Sequence, residues 1–73
     1  MTEPELEAYA DGGRYAFHLR DGRRVSGILL YERPDLPLSA RTHWYVLGRP
    51  SPTSHGERTE IRPVDVLAIE PAR

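Results

Sequence analysis

Apolar and polar residues alternate along residues 14–20, and this pattern predicts a β-strand with one buried face. Side chains two residues apart lie on the same side of an extended chain. One side therefore carries Tyr15, Phe17 and Leu19, and the other carries Ala16, His18 and Arg20. We expect the first of these sides to face a core.

The alternation breaks at Asp21-Gly22 and resumes over residues 23–32. Asp-Gly is a strong signal for a tight hairpin, and we expect a type I′ turn with positive φ at both central residues. The second strand becomes apolar on both sides after Gly27, in "GILLY". Because a glycine inside a strand often marks a sharp bend, we predict a long second strand bent at Gly27 that serves two parts of the fold.

Three shorter patterns predict strands over residues 43–48, 58–62 and 64–70, the last two separated by Pro63. The connections at residues 33–42 and 49–57 are rich in proline and polar residues and predict loops. The first loop carries an apolar "DLPL", which could cover one end of the fold, and the second reads as a mobile loop.

A short helix is predicted over residues 2–10, ahead of the strands. Thr2 and Glu5 have the spacing of a capping box, and Leu6, Tyr9 and Ala10 form one apolar face. The "DGG" at 11–13 is expected to stop the helix. The chain is thus predicted to be a single, mainly β domain of 1–73, with an acidic helix and glycine stop at 1–13 and a five-stranded antiparallel small barrel at 14–71.

Composition narrows the cellular setting and the chemistry. The 73 residues include no cysteine, which excludes disulfides and thiolate metal sites. No apolar run reaches the roughly 20 residues that span a bilayer, and the acidic N-terminus does not resemble a secretory signal. We therefore expect a cytoplasmic protein, with association between copies as the remaining way to stabilise so small a domain.

The charge is divided unevenly along the chain. Residues 1–13 carry four acids and no base, whereas residues 14–73 carry ten arginines against seven acids, a net charge of +3, and the chain has no lysine. Arginine suits phosphate binding and base stacking better than lysine does. This mild basic excess is compatible with nucleic-acid binding but does not by itself indicate it.

The strand pattern resembles the Sm-like family, which includes the Hfq proteins. The first Sm motif is matched in order and spacing by Phe17, Leu19, Gly22, Val25, Gly27 and Leu29. The second motif resembles "IRPVDVLAI" at 61–69, with Pro63 in place of a glycine. The resemblance implies a small five-stranded barrel, and a Src-homology-3-like barrel with the same strand order would give a similar pattern.

The resemblance also implies ring assembly, with the fourth strand of one subunit pairing with the fifth strand of the next, and binding of single-stranded RNA at the pore. Arg62 matches an RNA-contact position of the family, and His43 lies near the position of the asparagine that contacts a base. The Asp and Asn that usually follow the bent strand are absent, as is the Lys-His pair of the Hfq proteins.

Several further residues are candidates for binding. Arg20, Arg23 and Arg24 flank the hairpin turn and could form a phosphate-binding rim; the alternative is a solvated turn paired with Asp21. Exposed aromatic side chains can stack on bases or contact a protein partner, and the candidates for this role are Trp44, Tyr45 and Tyr31. Trp44 and Tyr45 are neighbours on one strand, so we expect one in the core and the other at the surface.

Nothing in the sequence indicates catalysis. The histidines show no metal-ligand spacing, the serines lack a nucleophile motif, and there is no phosphate-binding glycine loop. We therefore expect no enzyme, no cofactor and no metal.

Two hypotheses remain for the function. The first is a protein-interaction or regulatory module that contacts a protein partner, or a second copy, through a strand edge or an aromatic patch. The alternative is a single-stranded RNA-binding Sm-like protein that uses arginine contacts and aromatic stacking.

Overall fold

A computed structural model describes residues 1–32 and 42–72 of the chain. It is mainly β, with a five-stranded antiparallel sheet and one short α-helix. The helix α1 spans Glu3–Glu7, and the strands are β1 Arg14–Leu19, β2 Arg24–Glu32, β3 His43–Leu47, β4 Arg58–Ile61 and β5 Val66–Pro71. The prediction that residues 33–42 cover one end of the fold lies, apart from residue 42, outside the described residues.

Helix α1 begins where the sequence predicts but ends earlier. The Thr2 side chain accepts a hydrogen bond from the Glu5 N–H, and the Glu5 carboxylate accepts one from the Thr2 N–H, so the predicted capping box is confirmed. The predicted end at the "DGG" is wrong, because the helix stops at Glu7. Leu6 is fully buried, and Tyr9 and Ala10 pack against the core from the turn after the helix. Tertiary contacts thus fix this segment, since five residues are too few for a helix that is stable alone.

The β1–β2 hairpin forms as predicted, but its turn is of a different type. The loop contains Arg20, Asp21 and Gly22, and the Gly22 N–H donates to the Leu19 carbonyl at 3.0 Å. Gly22 has a φ of 92°, whereas Asp21 does not have positive φ, so the type I′ prediction is wrong. The geometry is that of a three-residue loop with a glycine bulge. The Asp21 carboxylate favours it by accepting the Arg23 N–H at 3.0 Å.

Strand β2 pairs with a different neighbour before and after Gly27, as predicted for a strand that serves two parts of the fold. Its first half pairs with β1, from His18↔Arg24 to Arg14↔Ile28. Its second half pairs with β3, from Ile28↔Leu47 to Glu32↔His43. A Cβ at Gly27 would collide with the Leu47 carbonyl oxygen and would lie 3.0 Å from Val46 Cγ1. Glycine is therefore required here by the close approach of β3.

The sheet is open, and this corrects the predicted closed barrel. The strand order is β4-β3-β2-β1-β5, so β4 and β5 are the edge strands and do not pair with each other. Strand β4 is only four residues long, and a single 3₁₀ turn, Pro63–Asp65, follows it in place of the predicted start of the last strand at residue 64. Because proline has no N–H to donate, Pro63 cannot extend the ladder of β4.

The core nevertheless joins both ends of the sheet. It contains Leu6 of α1, Phe17 and Leu19 of β1, Leu29 of β2, Trp44 and Val46 of β3, Ile61 of β4 and Val66 of β5. Because side chains from both edge strands meet in one cluster, the sheet must curl around that cluster. No helix among the described residues is long and apolar enough to cross a membrane.

The second loop is more ordered than its composition predicts. Ser51 and Ser54 exchange two backbone hydrogen bonds, of 2.8 and 3.2 Å, and so form an isolated bridge. The Gly48 N–H donates to the Glu57 carbonyl at 2.8 Å and joins the two ends of the loop. The loop therefore extends the β3–β4 hairpin as a narrow turn.

Candidate interaction groove

A groove lies at one end of the sheet, where the β1–β2 turn, the start of β3, the end of β4 and the 3₁₀ turn come together. Its volume is about 960 Å³. The apolar part of its lining is formed by Leu19, Trp44, Ile61, Pro63 and Val64. We call this site the end groove. The elements that surround the groove are distant in sequence, and it is the fold of the sheet that brings them together.

The end groove brings together four of the five residues predicted to contact RNA: Arg20, Arg23, Arg62 and His43 all line it. Arg24 does not. It begins β2 and lines a smaller depression with Ser26, Gly48 and Thr59. The predicted basic rim around the hairpin turn is therefore divided between two surfaces.

Each arginine of the end groove already has a partner within the chain. Arg23 Nε lies 2.7 Å from Asp21 Oδ2, and Arg62 Nε lies 2.8 Å from Asp65 Oδ2. Arg20 Nη2 donates to the Val64 carbonyl at 3.1 Å. Exposed ion pairs of this kind contribute only about 0–1 kcal/mol to stability. They do, however, neutralise much of the positive charge that the sequence suggested for this surface.

Among the described residues of the groove lining, acidic residues outnumber the arginines. Three arginines face four carboxylates, those of Glu3, Asp21, Glu60 and Asp65, so the described lining has a formal net charge of −1 with neutral histidine. Glu60 has no ion pair with any described residue. Glu3 accepts a hydrogen bond from Trp44 Nε1 at 3.2 Å. Sequence reasoning missed both glutamates, because their contribution depends on contacts between distant elements.

The three aromatic candidates differ in burial, and of the two neighbours on β3 one lies in the core, as predicted, while the other is half-buried. Trp44 is only 2% exposed, so its ring belongs to the core and offers no stacking surface. Tyr45 is half-buried, and the Arg58 guanidinium lies 3.8 Å from its ring centroid. Tyr31 is 44% exposed and lies beside Trp44, with ring centroids 5.2 Å apart. Neither tyrosine lines the end groove.

Two exposed apolar residues were not predicted, and one of them, Val64, lines the groove. Val64 is 58% exposed and Leu67 is 60% exposed. Val64 is carried by the 3₁₀ turn, and Leu67 is the extra residue where the register shifts between Leu19↔Val66 and His18↔Ala68. A β-bulge turns a side chain away from the regular alternation. The sequence gives no signal for this shift, because "VDVLAIE" is equally consistent with a regular strand.

A second charged cluster crosses three strands on the outer face of the sheet. His18 Nε2 lies 2.9 Å from Glu70 Oε1, and Arg24 Nε lies 3.8 Å from the same oxygen. The hydrogen bond from His18 is the main reason that the pKa of Glu70 lies below its ordinary value of 4.5. The cluster links the edge strand β5 to β1 and β2.

We expect the pKa of Glu70 to rise toward its ordinary value in a His18→Asn variant. Because the folded pKa is depressed, the contribution of this carboxylate to stability is present above pH 4.5 and is lost as pH falls through the folded pKa. NMR titration of the Glu70 carboxyl carbon measures the shift. The pKa of Asp11, which is lowered chiefly by the Tyr15 hydroxyl, provides the internal control and should not change. An unchanged Glu70 pKa would contradict this assignment.

Within the described residues, no group of three His, Cys, Asp or Glu side chains is placed to hold a metal ion. No family model, no curated protein and no solved structure matches this chain. The function must therefore be inferred from the geometry and the charges of the chain itself.

Proposed function

We propose that this chain is a protein-interaction or regulatory module without catalytic activity, and that its partner docks at the end groove. The observation that carries the proposal is the combination of an apolar groove lining with arginines that are already paired inside the chain. A partner polypeptide can cover such a lining and gain the apolar burial. A polyanion, by contrast, would have to compete with Asp21 and Asp65 for the same guanidinium groups.

The exposed apolar side chains support docking at this end of the molecule. Val64 and Leu67 are two of the three large apolar residues that are exposed among the described residues. Val64 also lines the groove, and Leu67 follows it on the edge strand β5. Removing apolar surface from water yields about 25 cal/mol per Å². A contact that covers both side chains would therefore add to the affinity for a protein partner.

The edge strands offer a second means of contact. The outer edges of β4 and β5 have no strand partner in the described sheet. An extended segment from a partner, or from a second copy, can add to such an edge through main-chain hydrogen bonds. Strand β4 is short and carries Arg58 and Glu60, which are features that discourage edge pairing. We therefore propose β5, with its exposed Leu67, as the preferred edge.

We further propose that the fold is a variant of the Sm-like small barrel. The strand order, the change of β2 from one neighbour to another near Gly27 and the shared core of Ile61 and Val66 support this relationship. The position of β4 and β5 at the two edges of the sheet leaves both strands available for the pairing between subunits that the resemblance implies.

Selection from a displayed peptide library tests the interaction proposal. We expect peptides that bind the wild-type chain and bind at least about threefold more weakly to a Val64→Ser variant, because the groove loses an apolar wall. Ala68→Ser is the matched control, since Ala68 is exposed on β5 and does not line the groove. Failure to select any peptide, or equal losses in both variants, would contradict docking at the end groove.

Single-stranded RNA binding is the second proposal, and one observation favours it: Arg20, Arg23, Arg62 and His43 share the end groove. Binding to phosphates would weaken steeply as salt rises. Light scattering with size exclusion, with and without an oligo-uridine at two salt concentrations, distinguishes the proposals. A ring that holds the RNA at low salt would support RNA binding, and a monomer or dimer indifferent to RNA would support the interaction module.

A further inference from the structure

We infer that the end groove selects a peptide segment that places a positively charged side chain beside an apolar one. This inference rests on the proposed function and specifies its partner. It begins with the charges that remain once the internal contacts of the groove are satisfied. Asp21 and Asp65 are paired with Arg23 and Arg62, at 2.7 and 2.8 Å. Their charges therefore largely cancel.

In the described part of the groove lining, three charged groups remain, and two of them are acidic. The carboxylates of Glu3 and Glu60 have no cationic partner among the described residues. Of the three described arginines, Arg20 has no carboxylate partner and donates to the Val64 carbonyl. A partner that brings a cation therefore meets complementary charge, whereas a partner that brings an anion meets two unpaired carboxylates. Such complementarity determines the choice of partner more than the affinity itself.

The position of Glu3 is fixed by the core. Its Oε1 accepts the indole hydrogen of Trp44 at 3.2 Å, and Trp44 is buried. Trp44 is also the residue that pairs with Ile61, the neighbour of Glu60 on β4. Helix α1 and strand β4 are thereby linked to the same point of the core. A carboxylate that is held in place loses less side-chain entropy when it binds a cation than a freely rotating one does.

The apolar lining provides the second half of the recognition. Leu19, Trp44 and Ile61 contribute to the same lining as the two unpaired carboxylates and the exposed Val64. A lysine or arginine next to a leucine would place its charge at the glutamates and its apolar neighbour on this lining. The stem of the basic side chain can pack there as well, since such side chains bury their methylenes while the charged end remains hydrated.

The test compares short capped peptides that share a central leucine and differ only in its neighbours, which are lysine, glutamine or glutamate. Fluorescence anisotropy with labelled peptides at low salt measures each affinity. We expect the lysine peptide to bind most tightly. Its affinity should fall about three- to tenfold in Glu3→Gln and again in Glu60→Gln, because each variant removes one charge-assisted contact. Glutamine at position 3 keeps an acceptor for the Trp44 indole, so the fold should be unaffected.

Glu7→Gln is the matched control, because Glu7 is exposed on the same helix and does not line the groove. It should leave the affinity unchanged. Tighter binding of the glutamine or glutamate peptide would overturn the inference and leave the interaction proposal intact. If none of the three peptides binds but library selection yields peptides for the groove, the inference is likewise overturned and the interaction proposal stands. If neither the three peptides nor the library gives binding, both proposals fail.

Discussion

Replacing Gly27 with alanine should destabilise the fold by about 2–5 kcal/mol, the combined cost of a disfavoured backbone conformation and of overpacking. The new Cβ would collide with the Leu47 carbonyl oxygen, which is backbone and cannot rotate away. Strand β2 would have to move away from β3 at the residue where its pairing passes from one neighbour to the other. Urea denaturation followed by fluorescence of the single tryptophan, Trp44, measures the loss.

Gly22→Ala is the matched control for this effect. Gly22 has a positive φ of 92°, but a Cβ there has open space around it. We expect a smaller loss of about 1–2 kcal/mol, which is the cost of the left-handed conformation alone. Equal losses in the two variants would mean that the close approach of β2 and β3 at Gly27 is not what requires glycine.

Leu6→Ala should cost about 2–5 kcal/mol, the usual range for a fully buried leucine. Leu6 is 0% exposed and is the buried contact of α1 with the core. Because so short a helix is unstable by itself, the loss should also detach the segment and remove Glu3 from the end groove. Thermal unfolding measures the first effect, and the affinity for the lysine peptide reports the second.

Glu7→Ala is the control, since it replaces an exposed residue of the same helix with a better helix former. Its effect on stability should lie within about 0.5 kcal/mol. If Leu6→Ala had an equally small effect, the docking of α1 against the sheet would be wrong. If Leu6→Ala lowered the stability but left the peptide affinity unchanged, helix α1 would not contribute to binding at the end groove.

Local patterns predicted the elements that depend on neighbouring residues. The hairpin, the capping box and the change of β2 from one neighbour to another near Gly27 follow from spacing and from single residue types. The predicted turn type was wrong. The Asp21 carboxylate accepts the Arg23 N–H and favours a three-residue loop, whereas Asp-Gly usually indicates a type I′ turn. The helix end was also missed, since Tyr9 and Ala10 pack against the core without being helical.

The site was harder to predict because it is made of contacts between distant elements. Carboxylates close in sequence were predictable partners, and the alternative of a turn paired with Asp21 is confirmed by the contact between Arg23 and Asp21. The contact of Arg20 with the Val64 carbonyl joins residues that are distant in sequence and was not predicted. The sequence could not show which of the neighbours Trp44 and Tyr45 lies in the core, and in the structure it is Trp44. Leu67 is exposed because of a register shift between β1 and β5 that no residue of the strand signals. These features support our proposal of a polypeptide partner, which was also the first of the two hypotheses from the sequence.

The indole N–H resonance of Trp44 tests most directly whether a polypeptide binds the end groove. This proton is hydrogen-bonded to Glu3 at the groove, and its signal is unique in the chain. We predict that the lysine peptide shifts it progressively to saturation in a ¹⁵N-labelled sample, while oligo-uridine at the same low salt leaves it in place. A saturable shift with oligo-uridine, and none with the peptide, would contradict the account.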